Sequence, residues 1–256
     1  MAPVRPRFAF LDGPMPLAFA HRGGAAAGLE NSMIAFERAV RLGYRYLETD
    51  VRATVDGVVL AFHDATLDRA TDRTGVIRSL PYTEVAGARI AGVAPIPTLA
   101  DLLDSWPDVR VNVDVKAASA IPPLLEVIRR AGAIDRVCVA AFSESRIARV
   151  RAAGGPRLCT ALGPRGVLSL RLSSYAGRSG RPAAPCAQVP VGARRIPLVD
   201  DRFVAAAHRA QVQVHVWTID TTTEIHRLLD LGVDGIMTDE LETLREALIS
   251  RGAWHP

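Results

Sequence analysis

An alternation along the chain constrains the fold more than any single motif does. Short runs rich in β-branched and other apolar residues recur: LAFA (17–20), YLETDV (46–51), VRVNVDV (109–115), VCVAAF (137–142), RLCTAL (157–162), AQVPV (187–191), VQVHVWT (212–218) and DGIMT (234–238). The segments between these eight candidate strands carry helix punctuation. In TTTEIHRLLDLG, Thr221 and Glu224 have the spacing of a capping box, and Gly232 stands where the helix should stop. NSMIAFERAVRLG places Met33, Phe36 and Val40 on one face, with Asn31 or Ser32 as the cap and Gly43 as the stop. Strands that alternate with helices pair in parallel through crossover connections. Repeated eight times, the pattern predicts an α/β fold of the TIM (β/α)8 barrel type, and 256 residues suit one such barrel.

One run departs from the alternation. GVVLAFHD (57–64) follows a turn at Asp56-Gly57 and reads as a small hairpin excursion after strand 2. The expected division is an N-terminal arm over residues 1–14 and a single barrel domain over 15–256. The stretch from Ser173 to Pro185, rich in Gly, Pro, Ser and Arg, reads as a mobile loop.

Composition removes several function classes. Hydrophobic residues make up 49% and charged residues 23%, the balance of a soluble folded protein. The net charge of +4 comes from arginines dispersed along the chain, densest between Arg165 and Arg195, which reads as a solvated surface. No nucleic-acid partner is expected. MAPVRPRFAFLDGP is broken by proline and has no long apolar segment, so a secretory signal is not expected. No run approaches the length of a membrane span, so stable membrane insertion is not expected either, and the default location is cytoplasmic. Oligomeric state is open. Cys138, Cys159 and Cys186 lack CxxC spacing and read as packing residues.

Active sites of such barrels lie at the C-terminal ends of the strands. Those ends are polar throughout: His21 and Arg22, Glu48 and Asp50, His63 and Asp64, Asp114 and Lys116, Trp217 and Thr218, Thr238 and Asp239. Residues two apart on a strand share a face, so Glu48 projects with Asp50 and Asp114 with Lys116, the only lysine in the chain. If that face is the barrel mouth, three carboxylates converge and repel one another unless positive charge lies between them. One hard divalent cation, Mg²⁺ or Ca²⁺, is the economical solution; the alternative is that these acids cap helices or form salt bridges within the barrel. Zinc is not expected, because there is no HExxH motif and no cysteine pair. Two histidines beside carboxylates, a metal and an arginine suit a phosphodiester. One imidazole takes the proton of the nucleophile and the other protonates the departing alkoxide.

The ordered set of motifs resembles the glycerophosphodiester phosphodiesterase family of metal-dependent TIM barrels. The stretches that carry the resemblance are AHRGG with GLENS, LETDVRATVDGVVLAFHDATLDRATDRTG, IPTLADLL, VNVDVK, and VWTID with LGVDGIMTDE, spanning residues 20 to 240. The resemblance implies that His21 and His63 are the acid/base pair, that Glu48 and Asp50 bind the metal, and that Arg22 and Lys116 hold the phosphate. The third ligand of the family is commonly glutamate in a stretch like IEIK; Asp114 occupies that place here. Glu30 and Asn31 would lie beside the metal or support its ligands. Trp217 would wall the substrate pocket, with core packing as its other reading.

The implied reaction is hydrolysis of a glycerophosphodiester, such as glycerophosphocholine, to glycerol 3-phosphate and an alcohol. Direct attack by water and passage through a cyclic phosphate are both open. The stretch from Asp64 to Pro97 is short, which would leave the mouth open. A phospholipase-D-like reaction on lysophospholipids or sphingomyelin is the alternative; it would need an apolar rim, and no exposed helix with a Trp or Phe face is evident. A non-enzymatic binding barrel would be favoured by loss of a histidine or of the Glu48/Asp50 pair, and both are intact.

Overall fold

The barrel closes in the order its strands leave the chain. A computed structural model describes Val4 and residues 6–176, 182–193 and 196–256. The barrel strands are β1 (Leu17–Ala20), β2 (Tyr46–Ala53), β3 (Arg110–Val115), β4 (Val137–Ala140), β5 (Cys159–Thr160), β6 (Cys186–Pro190), β7 (Gln213–Trp217) and β8 (Gly235–Thr238). Neighbours pair in parallel in the order β5-β4-β3-β2-β1-β8-β7-β6. The remaining seam, β5 to β6, is joined by a parallel bridge from Ala161 to Cys186 and by the Leu162 N–H donating to the Cys186 carbonyl at 2.8 Å.

A helix follows each strand: α1 (Met33–Arg41), α2 (Leu99–Ser105), α3 (Ile121–Arg130), α4 (Glu144–Gly154), α5 (Pro164–Ala176), α6 (Asp201–Arg209), α7 (Thr222–Asp230) and α8 (Leu241–Ser250). The caps explain where several begin. Ser32 accepts from the Ala35 N–H to start α1, and Thr98 with Asp101 completes a reciprocal capping box at α2. At α7 only half of the expected box forms. Thr221 accepts from the Glu224 N–H, while the Glu224 carboxylate turns to Arg227 at 2.6 and 2.8 Å.

The loop expected from Ser173 to Pro185 needs correction, since residues 173–176 complete helix α5. Residues 177–181 of that stretch lie outside the described residues. After β2 the chain makes the expected hairpin, with Val59–Ala61 antiparallel to β2. The excursion that follows has its own small core of Leu60, Phe62, Leu67, Ile77, Val85, Ile90 and Ile96. It stands beside the mouth as a folded flank.

Alternation along the strands separates two packings. Val111, Val113 and Val115 of β3 and Val137 and Val139 of β4 face the helices in the large apolar cluster. Leu17, Phe19, Tyr46, Cys138, Cys159, Cys186 and Met237 fill the barrel interior with Phe10 and Leu11 of the N-terminal segment. That segment is tied in place where Tyr46 Oη donates to the Phe10 carbonyl at 3.0 Å and Gln213 Nε2 to the Leu11 carbonyl at 3.3 Å. Among the described residues no helix is long and apolar enough to cross a membrane.

Candidate active site

The opposite end of the barrel is charged. A cavity of about 540 Å³ opens there, and its lining includes His21, Arg22, Glu48, Asp50, His63, Asp114, Lys116 and Trp217. Every site residue expected from the sequence is in that wall except Glu30 and Asn31, which lie behind it.

The HRGG turn after β1 sets the first part of the site. Arg22, Gly23 and Gly24 all adopt positive φ, at 50°, 80° and 94°. A Cβ on Gly23 would come 2.9 Å from Ala35 and Phe36 of α1, and one on Gly24 would come 2.6 Å from Leu241 of α8. Only glycines allow the chain to turn this tightly against two helices. The turn lets the Arg22 N–H donate to Glu48 Oε2 at 3.1 Å. It also presents His21, whose Nδ1 lies 2.7 Å from Asp239 Oδ1 and whose Nε2 lies 3.8 Å from Glu48 Oε2.

The acids come from neighbouring strands in register, with Asp50 of β2 opposite Asp114 of β3. Glu48, Asp50 and Asp114 are all buried. Lys116 Nζ sits between two of them, 2.7 Å from Asp50 Oδ1 and 2.6 Å from Asp114 Oδ2. Arg22 Nε lies 3.0 Å from Asp50 Oδ2, and Arg22 Nη1 donates to Glu30 Oε1 at 3.2 Å. Asn31, at positive φ, donates to Asp50 Oδ2 at 3.3 Å and accepts from Thr49 Oγ1 at 2.7 Å. The salt bridges weighed as an alternative to metal binding are therefore present.

These contacts divide the three acids. Burial would raise Asp50, but Lys116 and Arg22 overcome it and hold its carboxyl below the usual range. Burial pushes Glu48 up to about 7, with the Asp50 charge adding to the effect and His21 opposing it. Burial also raises Asp114 despite Lys116. His21 is desolvated, yet the negative charges of Glu48 and Asp239 outweigh that and raise it. Lys116 is likewise raised against its burial by Asp50 and Asp114.

The donor set fits a hard divalent cation. Three carboxylates face two cationic side chains, and Asp114 Oδ1 is buried without a hydrogen-bond partner. Added positive charge would relieve both that oxygen and the raised Glu48. The carboxylates are not drawn tightly together, however. Among the described residues, the group of three ligating side chains with donor atoms all within 4.8 Å of one another is the set of cysteines.

Several residues of the site were given no role from the sequence. Asp239 is the partner of His21; its only signal was its place at the end of β8. Asp64 holds His63 Nδ1 at 2.6 Å, and Arg69 ties Asp64 Oδ2 to Glu30 Oε1 at 2.5 and 2.6 Å. Asn112 and Gln188, joined at 2.7 Å, line the cavity in its deeper part. The remaining wall is mostly apolar, with Phe142, Leu162, Val167, Leu168, Leu198 and Trp217, and Arg171 is its charged member. Phe142 meets Trp217 edge-on, with ring centroids 5.3 Å apart. The sequence revealed no apolar rim, and the structure corrects this: Phe142 is 64% exposed, and Leu168, Leu172 and Tyr175 are exposed along one side of α5. The sequence blurs this face because α5 also carries the apolar Val167 and Leu170 on its inner side, and Phe142 comes from a different part of the chain.

An eight-stranded barrel with histidines, carboxylates and cations lining one cavity at its C-terminal mouth defines a (β/α)8 enzyme. The model of the Glycerophosphoryl diester phosphodiesterase family matches residues 21–243, and the chain belongs to that family, which makes it a phosphoric diester hydrolase. It is similar to the Mycobacterium tuberculosis protein named "Probable glycerophosphodiester phosphodiesterase 2", 41% identical over 256 residues that cover 97% of each chain. It is also similar to the glycerophosphodiester phosphodiesterase of Caldanaerobacter subterraneus, with 28% identity over 89% of this chain and 96% of that one. Among solved structures, an Oleispira antarctica phosphodiesterase in complex with the product sn-glycerol-3-phosphate shares the fold. Its TM-score is 0.78 at 20% identity, covering 92% of this chain and 97% of that one.

Proposed function

We propose that this protein hydrolyses glycerophosphodiesters such as glycerophosphocholine to glycerol 3-phosphate and the free alcohol, using His21 and His63 as its acid/base pair. The observation that carries the reading is the convergence of both imidazoles with Arg22 and Lys116 on one cavity. On this reading Arg22 and Lys116, which both line the cavity, neutralise a phosphate oxygen. Asp239 on His21 Nδ1 and Asp64 on His63 Nδ1 leave each Nε2 for proton transfer. One imidazole removes the proton from the attacking hydroxyl, of water or of the substrate glycerol, and the other delivers a proton to the leaving alkoxide oxygen.

Glu48, Asp50 and Asp114 would hold one divalent cation, Mg²⁺ or Ca²⁺, with Glu30 and Asn31 positioning Arg22 and Asp50 behind them. When bound, such an ion supplies Lewis-acid stabilisation of the charge that develops on the phosphate oxygens. The orphaned oxygen of Asp114 supports this assignment.

The test is a metal-by-substrate activity matrix on the purified protein. Hydrolysis of glycerophosphocholine should require Mg²⁺ or Ca²⁺, vanish with EDTA, and fall by at least about 10³-fold in His21→Ala and His63→Ala. Full activity in EDTA would exclude the metal reading. Full activity in either histidine variant would exclude the acid/base pair.

A second substrate reading has its own support. The apolar wall of Phe142, Leu162, Val167, Leu168, Leu198 and Trp217 gives a hydrocarbon chain a surface to bury against. Lysophosphatidylcholine assayed beside glycerophosphocholine, with cyclic phosphate measured among the products, separates a lysophospholipid hydrolase from one for the deacylated diester.

A further inference from the structure

Beneath the cavity lies a second cluster that the reaction does not use. Cys138, Cys159 and Cys186 stand on consecutive strands β4, β5 and β6, each two residues below a residue of the cavity floor: Ala140, Ala161 and Gln188. All three are free and buried. Far apart in sequence and with no motif spacing, they are brought by barrel closure to within 4.8 Å of one another at their sulfurs. We propose that Cys138, Cys159 and Cys186 form a structural site for one thiophilic cation, Zn²⁺ above all, that staples the β5–β6 seam of the barrel.

The geometry suits a thiolate-bound ion. With Zn–S bonds of about 2.3 Å, the sulfurs on a tetrahedral zinc lie about 3.8 Å apart. Cys138 Sγ and Cys186 Sγ are already 4.0 Å apart, so a shift of a few tenths of an ångström closes the site. A disulfide is a poorer description, since 4.0 Å is nearly twice an S–S bond of about 2.05 Å. Cys138 and Cys159 also sit in register on adjacent parallel strands, so their side chains run alongside each other into the barrel. Soft sulfur donors discriminate against the hard ions that suit the carboxylates above, so the two sites select different metals.

The surroundings are apolar but not inert. His215 on β7 is buried among the same interior residues, and its Nδ1 has no hydrogen-bond partner. Its Nε2 meets Gln213 Oε1 at 3.1 Å. His215 lies outside the group of donors within 4.8 Å of one another, so the site is assigned the three thiolates alone. Burial raises Cys138 and Cys159, and both neighbouring thiols lower Cys186 by hydrogen bonding to its sulfur. That sulfur also lies 4.0 Å from the Thr160 carbonyl, which favours the thiol form. Zinc binding forms Zn–S bonds and releases each remaining thiol proton to solvent, so affinity rises with pH. The site lies where strand pairing is thinnest. Strand β5 is two residues long, and the bridge from Ala161 to Cys186 carries the closure to β6.

Because the sulfurs are buried, the ion enters as the chain folds. The protein is unfolded, refolded with and without one equivalent of Co²⁺ as a spectroscopic probe, and separately with Zn²⁺. The proposal expects one cobalt per chain with sulfur-to-cobalt charge-transfer absorption. It expects Zn²⁺ to displace that absorption and raise the unfolding midpoint. Cys159→Ser should abolish the band and Asp114→Asn should keep it. Wild-type protein refolded with Co²⁺ that shows no sulfur charge transfer overturns the proposal whatever the variants do. So does an intact mass two hydrogens below that of the free-thiol chain, which would mark a disulfide. Should Cys159→Ser fail to fold, one zinc retained per folded wild-type chain with sulfur ligands in its X-ray absorption spectrum supports the site, and refolded wild type that retains no zinc, or zinc with oxygen and nitrogen ligands alone, counts against it.

Discussion

Replacing Asp239 with Asn tests whether His21 works through a fixed tautomer. Asp239 Oδ1 accepts from His21 Nδ1 at 2.7 Å, and Asp239 is itself held by its N–H donating to Asp220 Oδ1 at 2.8 Å. Asparagine keeps the shape but can offer an N–H to Nδ1, which would leave the proton on Nε2, the wrong nitrogen for a base. Losing a partner that merely orients a ligating or catalytic imidazole costs about 10–100-fold. Trapping the wrong tautomer in a dry triad costs about 10⁴-fold. The Asp239 side chain is 27% exposed, so water can replace part of the lost interaction. The expected loss in kcat/KM is therefore intermediate, about 10²–10³-fold, or about 3–4 kcal/mol of transition-state stabilisation. The assay is glycerophosphocholine hydrolysis across pH, with the thermal midpoint as a folding control. In a His21→Ala background the second substitution should cost almost nothing more, because both act through one imidazole. Wild-type kcat/KM in Asp239→Asn, or full additivity with His21→Ala, would refute the reasoning.

Three further outcomes follow from the same contacts. Lys116→Met removes the ammonium between Asp50 and Asp114 and should cost about 3 kcal/mol in urea denaturation, with Mg²⁺ or Ca²⁺ recovering more of that loss in the variant than in wild type. Gly24→Ala forces a Cβ to 2.6 Å from Leu241 at φ 94°, so backbone strain and overpacking together should cost about 2–5 kcal/mol and lower Tm by about 10 °C. Arg69 hydrogen-bonds Asp64 and, with His63, holds its carboxyl down to about 2. A carboxylate depressed in the native state contributes stability above its unfolded pKa of about 3.9 and loses it as pH falls toward the native value. Wild type should therefore exceed Arg69→Ala in denaturation midpoint at about pH 6, with the gap narrowing below about pH 4; a gap that stays constant would contradict this.

What the sequence made legible was periodic or contiguous. Each barrel strand was marked by its own short run of β-branched or other apolar residues, and the ends of those runs named His21, Glu48, Asp50, Asp114 and Lys116 because a strand's last residues point to the mouth. The features it hid depend on closure. The pairing of Asp239 with His21 joins residues 218 apart, across the β1–β8 contact, and no local pattern announces it. The apolar rim is divided between Phe142 after β4 and the outer side of α5, where apolar residues on both sides blur the helical period. Ser173–Ala176 resembled a loop because they open a stretch to Pro185 rich in Ser, Gly, Pro and Arg, yet Ser173 and Ser174 return their hydroxyls to carbonyls one turn back and continue the helix.

The lone lysine matters through its effect on two acids that the strand register would otherwise make equivalent. Asp50 and Asp114 face each other across β2 and β3, and Lys116 bonds one oxygen of each. Asp50 gains two further partners on its other oxygen, Arg22 and Asn31, and stays ionised in spite of its burial. Asp114 gains none, which leaves Oδ1 bare and its carboxyl raised. An arginine in place of Lys116 would present a planar fork with more donors than the two oxygens now bonded and would crowd that bare oxygen. The compact ammonium neutralises the pair and keeps one buried carboxylate oxygen uncommitted. On the proposed reading that oxygen belongs to the cation, so the shorter aspartate, where the family commonly has glutamate, keeps its ligating capacity because Lys116 takes only half of it.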